Sequence, residues 1–320
     1  MTLNSQPVVT NVPAGKRMKS RVPEIVESRV PEIRSAKHHD MLGAHMSIAG
    51  GTPEAIDRAR RVRCNVLQIF VKNNNRWVGK ELTPEEGTEF KRRRQKSKLR
   101  DVVAHTSYLI NLAAGPGEVR DRSIVSFLDE AERCMMLGID ALVVHPGCHN
   151  GAGERIGIER TAAAITEIFA RMPGSSVDIV LEATAGQGSS IGYRFEHLRD
   201  VLARCERPER VKVCLDTCHL FAAGFDLRYE GGYQETIASV DRIIGLEKLR
   251  VIHCNDSKRE LGSRVDRHEH IGKGKLGVEA FSFLLGDERL AHVPKILETP
   301  KGKELKEDRR NLRVLRSLVA

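Results

Sequence analysis

The chain has 320 residues, of which 40% are hydrophobic and 30% charged, a composition that excludes wholesale disorder and leaves room for a sizeable buried core. Its net charge of +9 makes a polyanionic partner plausible without establishing one. No apolar run is long enough for a membrane span or a signal peptide, and seven cysteines without framework spacing suit reduced thiols, so a cytosolic (cytoplasmic) protein without membrane contact is expected.

Residues 1–40 lack aromatic residues, are rich in proline and basic side chains, and repeat SRVPEI at 20–25 and 28–33. They predict a flexible, disordered basic N-terminal arm that precedes a folded body spanning 41–320. From residue 41 the pattern changes to short β-branched apolar runs, each followed by a stretch with helical spacing. The runs are 41–47, 66–72, 102–106, 141–147, 178–184, 211–217, 249–255 and 295–300, with helices expected at 53–62, 84–97, 121–137, 195–204 and 233–244. Eight near-continuous apolar strands alternating with helices predict an α/β fold, a closed (β/α)8 TIM barrel; a doubly wound open sheet is the alternative.

Barrel enzymes build their chemistry where the strands end. His105, His145, Glu182, Asp216, His253 and Glu298 end six consecutive runs, so each reaches the same rim. Asp216 with His219 in DTCH, and Asp266 with His268 in DRH, add further donors in the loops after the sixth and seventh strands. That makes five histidines and four carboxylates, and four carboxylates converging on one rim repel one another unless cations lie among them. Mixed imidazole and carboxylate donors suit zinc, with manganese or iron possible at the carboxylate-rich position, and nine donors with one bridging carboxylate divide among three ions. The cysteines are expected to be small packing residues, and His45, at the end of the first strand on the same rim, is either a support or substrate contact or a packed histidine. KRRR at 91–94 is expected to be a solvated helix face.

The segments GAHMSIAGG (43–51), HTSYLINLA (105–113), HPGCH (145–149), LEATAGQGSSIGYRFEHL (181–198), VCLDTCHLFAAGFDLR (213–228), HCNDSKRELGSRVDRHEHIGKGKLG (253–277) and ILETP (296–300) together resemble the endonuclease IV class of apurinic/apyrimidinic endonucleases. The resemblance implies a zinc-dependent hydrolase of the deoxyribonuclease IV type, acting in base excision repair. Such an enzyme cleaves the phosphodiester 5′ of an abasic site by a trinuclear zinc mechanism, leaving a 3′-hydroxyl and a 5′-deoxyribose phosphate, and also clears blocked 3′ ends. It implies that His105 and His145 hold one zinc, that Glu182 bridges to a second held by Asp216, His253 and Glu298, and that His219, Asp266 and His268 hold a third. Glu182, Glu298 and Asp216 are then the catalytic carboxylates.

Double-stranded DNA with abasic sites or blocked 3′ ends is the implied substrate, and a monomer the expected state. Tyr108 and Leu109 are expected to wedge into the base stack, while Lys72, Arg76, Arg264, Arg267, Lys273 and Lys275 suit phosphate contacts. In KNNNRW (72–77) the arginine often found two residues before the tryptophan is replaced by Asn75, with Arg76 one place later. Arg76 filling the gap in the base stack is the favoured expectation; the alternative is that Asn75 contacts DNA more weakly and Tyr108 with Leu109 carries most of the recognition. A metal-dependent sugar isomerase is the rival enzyme, but it has no use for His105, His145, His219, Asp266 and His268; a DNA-binding protein without catalysis would not need the full set of nine.

Overall fold

A computed structural model describes Met1 and residues 41–318. The expected N-terminal arm lies outside them. In chain order the elements are β1 (Leu42–Met46), α1 (Pro53–Arg61), β2 (Val66–Phe70), α2 (Pro84–Lys96), β3 (Asp101–His105), α3 (Glu118–Leu137), β4 (Ala141–Val144), α4 (Glu154–Arg171), β5 (Asp178–Glu182) and α5 (Phe195–Leu202). They continue with β6 (Val211–Asp216), α6 (Thr217–Ala223), α7 (Glu230–Ile243), β7 (Leu249–His253), β8 (Asp256–Ser257), β9 (His268–Glu269), α8 (Val278–Gly286), β10 (Lys295–Leu297) and α9 (Lys306–Ser317).

Eight strands close in the order β1-β10-β7-β6-β5-β4-β3-β2, every pairing parallel, while β8 and β9 form a separate antiparallel hairpin. The closed barrel is therefore the fold, and the open sheet is excluded. All eight expected strands form, each ending earlier than its apolar run because the residues that follow turn outward into the loops. The fourth run, for example, stops at Val144, before Pro146 and the left-handed Gly147.

Two apolar layers follow from the period of two along each strand. Outward positions such as Leu67, Val102, Leu142, Leu181 and Val213 pack against the helices in one large cluster with Phe90, Phe127 and Phe281. Inward positions Val66, Val103, Val143, Val180, Cys214, Val251 and Ile296 form a second, smaller cluster inside the barrel. Two residues beyond each of these seven stands Gln68, His105, His145, Glu182, Asp216, His253 or Glu298. The apolar plug thus ends in a polar crown, one side chain per strand.

Two expectations need correction. Asp216 and His219 are not in a loop: Asp216 caps the N-terminus of α6, its side chain accepting the His219 N–H at 2.9 Å, so the helix begins inside the motif. Nor is 91–94 a plain solvated face. Arg93 ties α2 to α1 through Glu54 and Asp57, and Arg94 donates to the Gly138 carbonyl at the end of α3.

Candidate metal centre

Glu182 is fully buried at the tip of β5 and stands at the middle of the crown. One carboxylate oxygen lies 3.0 Å from His105 Nε2 and 3.2 Å from His145 Nε2. The other lies 3.1 Å from His253 Nδ1 and 3.2 Å from His219 Nδ1. His253 Nδ1 also stands 3.3 Å from Glu298 and 3.8 Å from Asp216. Across the rim, Asp266 lies 3.1 Å from His219 Nε2 and 3.2 Å from His268 Nε2.

Three groups of donor atoms result, each drawn together within 4.8 Å: His105, His145 and Glu182; Glu182, Asp216, His253 and Glu298; His219, Asp266 and His268. All nine residues singled out from the sequence are brought together. Cys214 also lies within donor distance of Glu182 and His253, and Cys218 of Asp216 and His268; burial pushes both thiols up to about 12.

The imidazole edges are sorted. His105 donates from Nδ1 to the Thr106 carbonyl at 2.8 Å, His219 to the Ala183 carbonyl at 3.0 Å, and His268 to the Glu298 carbonyl at 3.3 Å. Each therefore keeps Nε2 free for the centre. His253 is turned the other way, with Nε2 held by Gln68 Oε1 at 2.8 Å and Nδ1 facing the carboxylates. Such outer hydrogen bonds fix the tautomer of ligating histidines.

A cation fits these residues. The buried Nε2 atoms of His219 and His268 come within ion-pair distance of Asp266 yet make no well-directed hydrogen bond, as expected of donors aimed at a common point between them. Electrostatics agree. Burial opposes ionisation of Glu182 and Glu298, but His253 above all outweighs it and holds both carboxyls well below the usual range. Burial likewise opposes charge on His219, yet Asp216, Asp266 and Glu182 raise it well above an ordinary histidine. The cluster demands positive charge, which protons supply when no metal does.

Sequence reasoning missed two supports. Gln68, fully buried in β2, donates to His45 Nδ1 at 3.0 Å and to Glu298 at 2.5 Å while accepting from His253. Its one signal was an amide in the apolar run VLQIFVK. Asn255, just past β7, donates to Asp216 at 2.6 Å and accepts the Glu298 N–H at 2.8 Å, joining candidate ligands from β6 and β10, the two strands that flank β7. His45 sits behind Glu298 with its ring 4.3 Å from that of Phe70, and burial drops its pKa to about 4, so it is neutral.

Around the rim, Tyr108 is 65% exposed, Leu109 is half-buried, and Asn75 and Arg76 are exposed. Arg264, held at φ 52°, stacks its guanidinium 4.1 Å over the Tyr193 ring and has no ionic partner among the described residues. Arg267 is exposed and donates to the Asp266 carbonyl; Lys273 is exposed, and Lys275 pairs with Glu260 at 2.7 Å. Lys72 needs correction as a phosphate contact. Its ammonium is buried against Asp129 at 2.9 Å, Glu130 at 3.3 Å and the Trp77 carbonyl at 2.9 Å, leaving nothing to offer a ligand.

Residues 56–318 match the family model of the xylose isomerase-like TIM barrel. The chain is 51% identical to the probable endonuclease 4 of Chloroflexus aurantiacus over 277 residues, covering 87% of this chain and 97% of that protein. Among solved structures it is similar to endonuclease IV from Thermus thermophilus, at 36% identity and a TM-score of 0.78, covering 87% of this chain and 98% of the other. A D-tagatose 3-epimerase-like protein superposes with a TM-score of 0.64 at 17% identity, a likeness of fold alone. Among the described residues no helix is long and apolar enough to cross a membrane.

Proposed function

Since the chain belongs to the endonuclease IV family of apurinic/apyrimidinic repair endonucleases, we propose that it hydrolyses the DNA phosphodiester immediately 5′ of an abasic site, using three zinc ions held by the nine rim residues. The observation that carries this reading is the buried carboxylate of Glu182, whose two oxygens face two different donor groups while a third group stands beside them. Zinc bound there would supply Lewis acidity toward phosphate oxygens and lower the proton affinity of water, with manganese an alternative at the carboxylate-rich group.

The chain's own residues do the rest. Glu182, Asp216 and Glu298 bring negative charge to one place, and Gln68 and Asn255 hold Glu298 and Asp216 in register. His105, His219 and His268 present sorted donor edges. No side chain is required as a covalent nucleophile. Discrimination falls to the rim: flipping a nucleotide costs a few kcal/mol, least where the base is absent, and exposed Tyr108 with Leu109 is suited to fill the stack left behind. Arg264, already immobilised on Tyr193, suits a phosphate, and Arg76 the gap opposite the lesion. Blocked 3′ ends are open to the same attack. An isomerase would leave the third donor group unexplained.

Mapping the products from a duplex with one abasic site tests the reading. A 3′-hydroxyl and a 5′-deoxyribose phosphate are expected; cleavage 3′ of the lesion, or none by the metal-loaded protein, contradicts it.

A further inference from the structure

The Lys72–Glu130 pair is buried to the same degree as the core, although neither residue belongs to the metal centre. Both side chains are 1% exposed. Taking two charges out of water costs more than burying an apolar pair of the same volume, so the arrangement must secure something that an apolar pair cannot. What it secures is backbone. Lys72 Nζ donates to the Trp77 carbonyl at 2.9 Å, closing the loop after β2 on itself. Glu130 uses its second oxygen to accept the Ser107 N–H at 3.0 Å, at the start of the loop after β3.

Neighbours on α3 extend the same strut. Ser126 Oγ accepts from Lys72 at 2.8 Å, and Asp129 accepts from both Lys72 and Arg133 at 2.9 Å. Arg133 in turn donates to the Lys80 carbonyl at 2.8 Å, farther along the loop after β2. The two loops then meet directly, the Tyr108 N–H donating to the Asn74 carbonyl at 3.2 Å. Gly79 lies so close that a Cβ there would come within 2.8 Å of the Lys72 Cβ, a contact no side chain tolerates. One loop carries Asn75 and Arg76, the other Tyr108 and Leu109.

We propose that the buried Lys72–Glu130 pair is a positioning device that locks the loops after β2 and β3 into one platform, setting discrimination between abasic and intact DNA while touching neither. This rests on the assignment of those loops to damage recognition. Lys72→Met/Glu130→Gln keeps the volume and the acceptor for Ser107 but removes both charges and the donor to Trp77. Gly79→Ala displaces the loop from above and alters no charge.

Both variants are studied as metal-loaded full chains, with metal content, KM and kcat, affinity for abasic and undamaged duplexes, fluorescence of a 2-aminopurine beside the lesion, and amide exchange in 73–80 and 106–109. The ratio of the two affinities should fall about tenfold, with KM rising about tenfold and kcat changing less than about twofold. The fluorescence increase on binding should be lost, exchange should quicken in both loops together, and metal content should hold. An unchanged ratio in folded variants, or quickened exchange in one loop alone, overturns the proposal. If the double variant does not fold, Gly79→Ala decides by the same readouts. A wild-type protein with no preference for abasic DNA would refute the assigned activity, and exchange in the two loops would still judge their coupling.

Discussion

Glu182, Asp216 and His253 lie at barrel-strand ends with no exposed surface, whereas Asp266 and His268, which serve the same rim, stand in the long excursion between β7 and α8, His268 in the short β9 outside the barrel, with side chains 38% and 17% exposed. The strand-borne donors are placed by the sheet itself, since each is two residues beyond a plugged interior position and its neighbours are fixed by ladder pairing, as in Asp216 opposite His253. The loop-borne donors need another device. It is Asp256, whose buried carboxylate accepts the N–H groups of Ser257, Gly274 and Leu276, so that both ends of the loop are fastened to one side chain. Gly274 must be glycine there, because a Cβ would strike the Ser257 carbonyl and the Asp256 carboxylate. The difference teaches that the strand-end donors are held by the sheet, whereas Asp266 and His268, two of the three donors of the third group, depend on a clasp.

The largest effect should come from the strand-borne set. Glu182→Gln should lower kcat by at least about a hundredfold, because it removes the charge shared by two donor groups, while the Kd for an abasic duplex stays within about threefold. Single-turnover cleavage and fluorescence anisotropy measure the two; rate and affinity falling together would break the separation.

Breaking the clasp should do less. Asp256→Ala should cost about ten- to a hundredfold in rate through Asp266 and His268, with partial recovery on adding zinc and the other two groups still loaded. Loss of all metal would mean that the two regions are not independent. In a graded chelator titration followed by elemental analysis, the group of His219, Asp266 and His268 should empty first, since two of its three donors stand on the clasped segment and not at the ends of barrel strands. Release of all metal in one step would contradict the comparison.

How much of this was legible depended on how far along the chain each residue's deciding partners stand. Strand ends were readable because apolar runs announce strands and the rim rule places their last residues, so His105, His145, Glu182, Asp216, His253 and Glu298 could be taken together. Gln68 was not readable, since an amide in an apolar run carries no ligand signature and its partners come from β1, β7 and the end of β10. Lys72 was misassigned for the converse reason. Its own neighbourhood is a polar loop, and its carboxylate partners Asp129 and Glu130 come from a helix more than fifty residues away. The α6 helix escaped because Asp216 serves as donor and cap at once, so a helix start looked like a loop motif.

The smallest effect should come from the rim. Arg264→Ala should weaken abasic and undamaged duplexes alike and reduce the slope of log K against log salt by about 1, as loss of one phosphate contact does. Arg76→Ala should instead weaken abasic binding more than undamaged binding, and equal losses would make Arg76 a plain phosphate contact.

The central claim is that strand-borne and loop-borne donors together hold metal for abasic-site cleavage. Elemental analysis of the purified chain beside a cleavage assay on an abasic duplex tests it most directly. About three divalent ions per chain, mainly zinc, with activity lost as they are removed, is the expected result. Full-rate cleavage of abasic DNA by protein holding at most about one ion would contradict it.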